Sequence, residues 1–426
     1  MIFELLLLAI IILLTVNFRK GMILTAGLKL VVLPSVMVGM WKFNTLFVMI
    51  VFFFTIANWK KLFGDLKIFP LFWPFLLLIV SQLISQLVGV IHFRGVLGAL
   101  FDSYFYSFVL FFCIKDKKDV QLLLLVLMIA LAIELCNAVI EYFSNQGKNY
   151  LSQVMQKNSH GNVYFSEDIY RERGVRLRSG YSHSIVFGDI CAIFSFLFAY
   201  LFLKVKANII FVWYIVLFVI GAFLSNSRTP IIGILVFALP IFWGNNLFSM
   251  SGVIMLLLFF SGLIYFYDYF YVIFDQIFNT NSIYSVEGSS IDLRTEQLEG
   301  CFLIISSNIW FGLGQEFNLE QWEFILKGNE SCWFEILCKQ GIIGAFLYAL
   351  LYIVAIYKSR KQPHFLYFFF LSLGWLAICT MSNLSNMDSY PFFLSYILMY
   401  KCGELLELRD SKSIGGKEYW CTLKNN

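Results

Sequence analysis

The sequence predicts an all-α fold, a polytopic bundle of about 12–13 membrane-spanning helices forming one integral domain over residues 1–426. Three observations predict it. Hydrophobic residues make up 60% of the chain and charged residues only 14%, against about 25% charged in soluble domains. Such a chain cannot cover a water-facing surface and needs lipid as its solvent. Apolar runs of span length recur along it, most of them joined by tight connections, and lysines and arginines collect in alternate connections.

Each element follows from its own run. A span needs roughly 20 apolar residues. Runs near 2–17, 23–40, 44–58, 70–91, 96–114, 120–143, 184–203, 207–224, 230–243, 249–266, 336–357, 364–383 and 389–405 meet or approach that length. The first, Ile2 to Val16, lacks a basic flank and a small-residue cleavage site, so it reads as a retained helix and not a removed signal. Two connections are long, 144–182 and 267–335, and the second carries a helix signal of its own. Ser289 or Ser290 can cap a start near Ile291, with Asp292 in the first turn. Leu293, Leu298, Phe302 and Ile305 give an apolar face. Gly312-Leu313-Gly314 is expected to end this helix, which would lie over the bundle at the membrane interface.

Orientation follows from the short loops, because cytoplasmic loops carry the excess of Lys and Arg. One alternate set holds Arg19-Lys20, then Lys60, Lys61 and Lys67, then Lys115, Lys117 and Lys118, then Lys204 and Lys206, then Lys358, Arg360 and Lys361. The opposite set of short loops holds only Lys42, Arg94 and Arg228. The first set is expected in the cytoplasm with the C-terminal tail, and both long loops outside, for a protein of the bacterial cytoplasmic membrane.

Composition also narrows function. The net charge is only +4, and no basic patch interleaved with aromatics points to nucleic acid. Nine cysteines are scattered without metal-ligand spacing. The long loops hold no Asp-x-Asp pair and no histidine cluster, so neither metal nor other cofactor is expected. Cys301 and Cys332, in or near the second long loop, could pair if that loop faces an oxidising space. Lys29, Asp102, Glu134 and Asp189 lie in or near apolar runs, where charged groups turn toward the bundle interior. They are few and unpatterned, unlike the lining of a transport pathway, and read as contacts between helices or with headgroups.

The side where basic residues should be scarce is nonetheless rich in arginine. The first long loop ends in Arg171, Arg173, Arg176 and Arg178, the next turn is Ser225-Asn226-Ser227-Arg228, and the second long loop carries Arg294. The planar guanidinium offers paired, charge-assisted hydrogen bonds that suit phosphate oxygens. Arginines at the mouths of several helices therefore point to an anionic ligand at the membrane surface, such as a lipid pyrophosphate. Their other reading is snorkelling to headgroups.

Three segments carry a resemblance. Arg178-Ser179-Gly180-Tyr181-Ser182-His183 runs into the span at Val186, Ser225-Asn226-Ser227-Arg228 opens the next outer helix, and Glu330-Ser331-Cys332-Trp333-Phe334-Glu335 leads to Gly341-Ile342-Ile343-Gly344. In order and spacing these resemble the O-antigen ligase and polymerase family (Wzy-type repeat-unit polymerases and related ligases). The family has an Arg-x-Gly lead into a helix, a Ser-Arg at a helix start, and a His-Asn-x-aromatic-Leu-Glu segment followed by Gly-x-x-Gly. Arg294 and Gly312-x-Gly314 sit where it has an arginine and a Gly-x-Gly. The resemblance covers roughly 178–357.

It implies a fold similar to the GT-C class of lipid-linked glycosyltransferases. The implied activity is polymerisation of polyprenyl-pyrophosphate-linked repeat units into O-antigen, capsule or exopolysaccharide outside the membrane. The same lipid-linked oligosaccharide class would be donor and acceptor, and chain length would need a partner protein. Arg178, Arg228 and Arg294 would hold the pyrophosphate, with Arg176 in reserve, and Glu330 would orient or deprotonate the acceptor hydroxyl. Ligases carry a histidine where this chain has Glu330, which favours a polymerase over a ligase. A flippase would instead show charged spans and short outer loops. Glu335 and His183 are expected in structural roles, with catalysis the alternative.

Overall fold

The computed structural model describes residues 2–32, 36–39, 41–64, 66–88, 104–144, 170–171, 174–181, 183–206, 208–243, 291–314, 317, 322, 331–382 and 389–406. Among these the chain is helical apart from two short hairpins. Helices α1 (Ile2–Val16) and α2 (Phe18–Val31) are followed by strands β1 (Met37–Val38) and β2 (Trp41–Lys42), then α3 (Phe43–Ala57), α4 (Trp59–Leu62), α5 (Phe72–Val88), α6 (Tyr106–Cys113) and α7 (Lys117–Phe143). Strands β3 (Tyr170–Arg171) and β4 (Gly174–Val175) form the second hairpin. Helices α8 (Ser184–Tyr200), α9 (Ile209–Leu224), α10 (Arg228–Trp243), α11 (Ile291–Ile304), α12 (Cys332–Ser359), α13 (Phe365–Met381) and α14 (Tyr390–Leu405) complete the described chain. The run at 249–266 lies outside the described residues.

Side-chain caps fix several starts, each supplying an acceptor for an otherwise orphan N–H. Asn17 accepts from the Lys20 N–H, Asn208 from Ile210, and Ser331 from Trp333, while Asp116 and Asp119 form a reciprocal capping box at α7. The run 23–40 is not one helix: α2 stops at Val31, and β1 pairs antiparallel with β2 around Gly39 at φ +61°. The reason lies in the sequence, where Val31-Val32 precede Pro34, a residue that lacks the N–H and disfavours helix before it.

Helix α8, extended by a π-helical turn at Leu201–Val205, is the axis of the bundle, with every residue from Val186 to Tyr200 buried. It packs on α9, α10, α13 and α14. Outer helices are two-faced. Along α7, Leu123, Leu127, Leu131 and Glu134 are buried, while Leu125, Ile129 and Ile133 are exposed at helical spacing. An exposed apolar stripe of this kind suits lipid. Helices Lys117–Phe143, Ser184–Val205 and Cys332–Ser359 are long and apolar enough to cross a membrane, and shorter apolar helices accompany them.

The connections gather at two opposite ends. At one, Arg19 pairs with Asp119, the Lys115 ammonium donates to the Lys61 carbonyl (3.2 Å), and Lys401 pairs with Glu404. The other end, reached by the C-termini of α2 and α7 and the N-terminus of α8, holds the arginine segments. Here Tyr181 donates to the Leu30 carbonyl across the bundle (3.0 Å).

Helix α12 breaks at Gly341 (φ +66°, ψ −167°), within the run expected at 336–357. In a continuous helix the N–H groups of Ile342 and Ile343 would bond to the carbonyls of Cys338 and Lys339. Instead the segment after α11 takes all four groups. Ile342 and Ile343 donate to Ile309 and Trp310 (3.0 and 3.2 Å), and Leu313 and Gly314 donate to Cys338 and Lys339 (2.9 and 3.0 Å). Broken helix is tolerated in a membrane protein only where protein satisfies the freed groups. A Cβ at Gly341 would lie 2.4 Å from the Trp310 carbonyl, and one at Gly312 2.6 Å from the Gly341 nitrogen. The glycine pair is what lets the two backbones touch.

One expectation for the second long connection is corrected here. Gly312-Leu313-Gly314 does not end α11, which stops at Ile304; it docks on the α12 break. Gln297, Cys301 and Ile304 of α11 are buried, with Ile305 of the expected apolar face just beyond its end, whereas Leu298 and Phe302 of that face are exposed. Cys301, Ile304 and Ile305 share a buried cluster with Phe334, Leu337 and Cys338 of α12. Cys301 and Cys332 are both free thiols with different neighbours: Cys301 Sγ lies 3.9 Å from the Phe334 carbonyl, and Cys332 Sγ 3.9 Å from the Tyr348 hydroxyl.

Candidate functional site

The arginine end is assembled around one tight turn, Arg176–Tyr181. Ser179 adopts φ +53°, and the Tyr181 N–H closes the turn on the Arg178 carbonyl (3.1 Å). A non-glycine residue in this region is uncommon and must be held there by its surroundings. The holders come from α7. Glu141 Oε2 accepts the N–H groups of Arg178 (3.0 Å) and Ser179 (2.7 Å), and Glu134 Oε2 accepts the Gly180 N–H (2.9 Å) and the Ser179 hydroxyl (2.6 Å). Asn137 Nδ2 donates to the same hydroxyl (3.3 Å). Glu134, Asn137 and Glu141 fall on one helix face by their spacing of three and four. Both carboxylates are fully buried.

The turn carries two buried arginines. Arg178 has its Nε 3.8 Å from Glu141 Oε1; burial pulls its pKa down and Glu141 opposes that. Arg176 donates from Nη2 to the Ser227 hydroxyl (3.3 Å), and the Leu177 N–H donates to the Leu224 carbonyl (3.1 Å). The Arg176–Gly180 turn is thus seated on the corner 224–228 between α9 and α10. That corner has its own left-handed residue, Asn226 at φ +55°, and ends in half-buried Arg228, the first residue of α10. Helix α8 lies close beneath, since a Cβ on Gly188 would meet Ser225 Oγ and Pro230 Cγ at 2.4 Å.

A chain of hydrogen bonds ties the corner to the third motif. Thr229 Oγ1 donates to the Met381 carbonyl (3.3 Å), the Ser382 hydroxyl donates to buried Asp189 of α8 (3.0 Å), and the Cys332 N–H donates to the Ser382 carbonyl (3.0 Å). Ser331 caps α12 and donates to the Cys379 carbonyl (3.4 Å). The segments near 180, 228 and 331, far apart in sequence, therefore meet at one end of the bundle.

Of the residues singled out from sequence, Arg176, Arg178 and Arg228 lie on segments that are joined through Arg176–Ser227 and Leu177–Leu224. Arg294 lies in the first turn of α11, whose later turns pack on α12; its side chain lies outside the described residues, as does Glu330 entirely. His183 caps α8, its Nδ1 accepting the Ile185 N–H (3.1 Å). Glu335 pairs with Lys339 one turn on. Asp189 and Glu134 hold helices and turn together. Glu141 is the residue that sequence reasoning missed. Its signal was available: an acid seven residues from Glu134, with Asn137 between them, in an otherwise apolar helix.

Residues 213–349 match the family described as O-antigen ligase. The matched stretch includes Arg228, Arg294, Glu330 and the Gly341 break, and it agrees with the O-antigen ligase and polymerase resemblance of the second and third motifs; the first, at 178–183, lies before it. No curated protein compared with the chain matches it. Together with the apolar helices, the match suggests a multi-pass inner-membrane enzyme of bacterial glycan assembly, acting on lipid-linked glycans.

Proposed function

We propose, for a chain carrying this O-antigen ligase region, that it polymerises polyprenyl-pyrophosphate-linked oligosaccharide repeat units on the outer side of the cytoplasmic membrane. The observation that supports the reading is that the segments carrying Arg176, Arg178 and Arg228 meet at one end of the bundle through the Arg176–Ser227 and Leu177–Leu224 contacts. Guanidinium groups fixed in advance stabilise charge that develops on a leaving pyrophosphate. The acceptor sugar hydroxyl attacks the anomeric carbon of the donor glycan. The bond from that carbon to the pyrophosphate oxygen breaks, and the configuration inverts. The lipid pyrophosphate leaves with the bonding electrons, held by Arg178, Arg228 and Arg294, while Glu330 takes the hydroxyl proton. In this reading the arginines stand where a divalent cation stands in nucleotide-sugar enzymes. The Lys- and Arg-rich end faces the cytoplasm, α11 lies at the outer membrane–water boundary with Leu298 and Phe302 toward lipid, and a partner protein governs chain length.

Glutamate at 330, in place of the histidine of ligases, favours polymerisation over transfer to lipid A or another final acceptor. The test is a glycan ladder from cells lacking the protein, complemented with wild type, Arg228→Lys or Arg294→Lys at matched expression. Collapse to a single repeat unit, unrestored by either lysine variant, is expected. Full-length chains left unattached to their acceptor would make the protein a ligase. Unchanged ladders throughout would sink the glycan reading.

A further inference from the structure

Buried carboxylates beside an arginine normally serve to neutralise it. At the Arg176–Tyr181 turn the two glutamates do something more specific. Three consecutive backbone N–H groups, those of Arg178, Ser179 and Gly180, all point at carboxylate oxygens of Glu141 and Glu134. Successive N–H groups converging in a turn form a natural anion-binding concavity. Here the protein fills that concavity with its own acids. Those three N–H groups are thereby already occupied.

Glu141 engages Arg178 twice: Oε2 accepts the residue's own N–H, and Oε1 faces its guanidinium. Glu134 and Asn137 fix the next residue, Ser179, in its left-handed conformation. We propose that Glu141 is a positioning residue, setting the direction and charge of Arg178 for a pyrophosphate-bearing lipid donor without touching the donor itself. This rests on the reading of Arg178 as a donor contact. Groups that orient a binding residue from behind are expected to govern affinity through that residue alone, so their effect vanishes when it is removed.

The test uses the purified full-length protein in lipid nanodiscs, with radiolabelled farnesyl pyrophosphate as probe. Glu141→Gln keeps the shape and an oxygen acceptor for the turn while removing the charge. Arg178→Ala should weaken binding by about tenfold or more, and Glu141→Gln by about tenfold, a size typical of coupled neighbours. The thermal midpoint of Glu141→Gln should fall, because Arg178 is left buried without its acid, so each affinity is measured well below that variant's own midpoint. The double variant should bind no worse than Arg178→Ala alone. If Glu141→Gln is not recovered folded, Glu141→Asp, one methylene shorter with its charge kept, carries the same cycle. Wild-type affinity in the Glu141 variant, or multiplied losses in the double variant, would overturn the positioning role. Wild-type affinity in Arg178→Ala would overturn the donor-contact reading itself, whatever Glu141 does.

Discussion

The two ends of the bundle use the same residue types in opposite ways. At the lysine-rich end Arg19, its side chain 38% exposed, pairs with buried Asp119 and lies 3.7 Å from Asp116, whose side chain is 57% exposed, and both acids double as a helix cap. At the arginine end the side chains of Arg178 and Glu141 are 8% and 0% exposed. An exposed ion pair contributes about 0–1 kcal/mol. Removing one partner of a buried pair costs about 3–5 kcal/mol, because the other is left stranded. At the first end the acid is fixed, since buried Asp119 also accepts the N–H groups of Lys115 and Asp116, while its arginine stays part-exposed. Charge at the second end is held at fixed positions by backbone and side chain alike, as a site that must meet a defined ligand requires.

The comparison is broken most severely by exchanging arginine for lysine at both ends. Arg176→Lys keeps the charge but loses the planar fork that reaches Ser227, and should abolish the glycan ladder at normal protein level. Arg19→Lys retains its partner Asp119 and should leave the ladder unchanged. Loss of the ladder in both would mean that arginine is required for folding at either end, and the contrast would fall.

A smaller but clear effect is expected at Gly341→Ala. The alanine would need φ near +66° and a Cβ within 2.4 Å of Trp310 backbone atoms. Backbone strain of this kind alone is worth about 1–3 kcal/mol. The thermal midpoint in nanodiscs should fall, and Gly64→Ala, with open space around it, should serve as the unaffected control. An undiminished midpoint in Gly341→Ala would mean that the docking of 309–314 on α12 is dispensable.

Much of the fold was legible because it rests on hydropathy and punctuation. Apolar runs became helices nearly end for end at Ile2–Val16, Phe43–Ala57 and Tyr390–Leu405, and where α2 stopped early the cause, Pro34, stands in the sequence. What hydropathy misses is satisfaction of backbone groups at a distance. Gly341 and Gly344 stand out in the run from Cys332 to Ser359, but hydropathy reads straight through them, because the groups that satisfy the break come from residues 309–314. In α11 the same apolar residues divide between two surroundings, Ile305 just past its end being buried against protein while Leu298 and Phe302 are exposed. At the site, arginine carries a chemical signature that can be read singly. Glu141 does not, since its meaning depends on a turn 37 residues away.

The mildest perturbation separates capping from charge at the lysine-rich end. Asp116 begins α7 by accepting the Asp119 N–H (2.9 Å) and also lies 3.7 Å from Arg19. Asp116→Asn keeps a good cap and drops the charge, whereas Asp116→Ala drops both. Loss of a cap costs about 1 kcal/mol, and loss of the exposed pair about 0–1 kcal/mol. Thermal unfolding should therefore leave Asn close to wild type and lower Ala, with the ladder intact in each. If Asn is as destabilised as Ala, the charge matters at this end after all. The two ends would then differ in degree of burial only, not in the use they make of it.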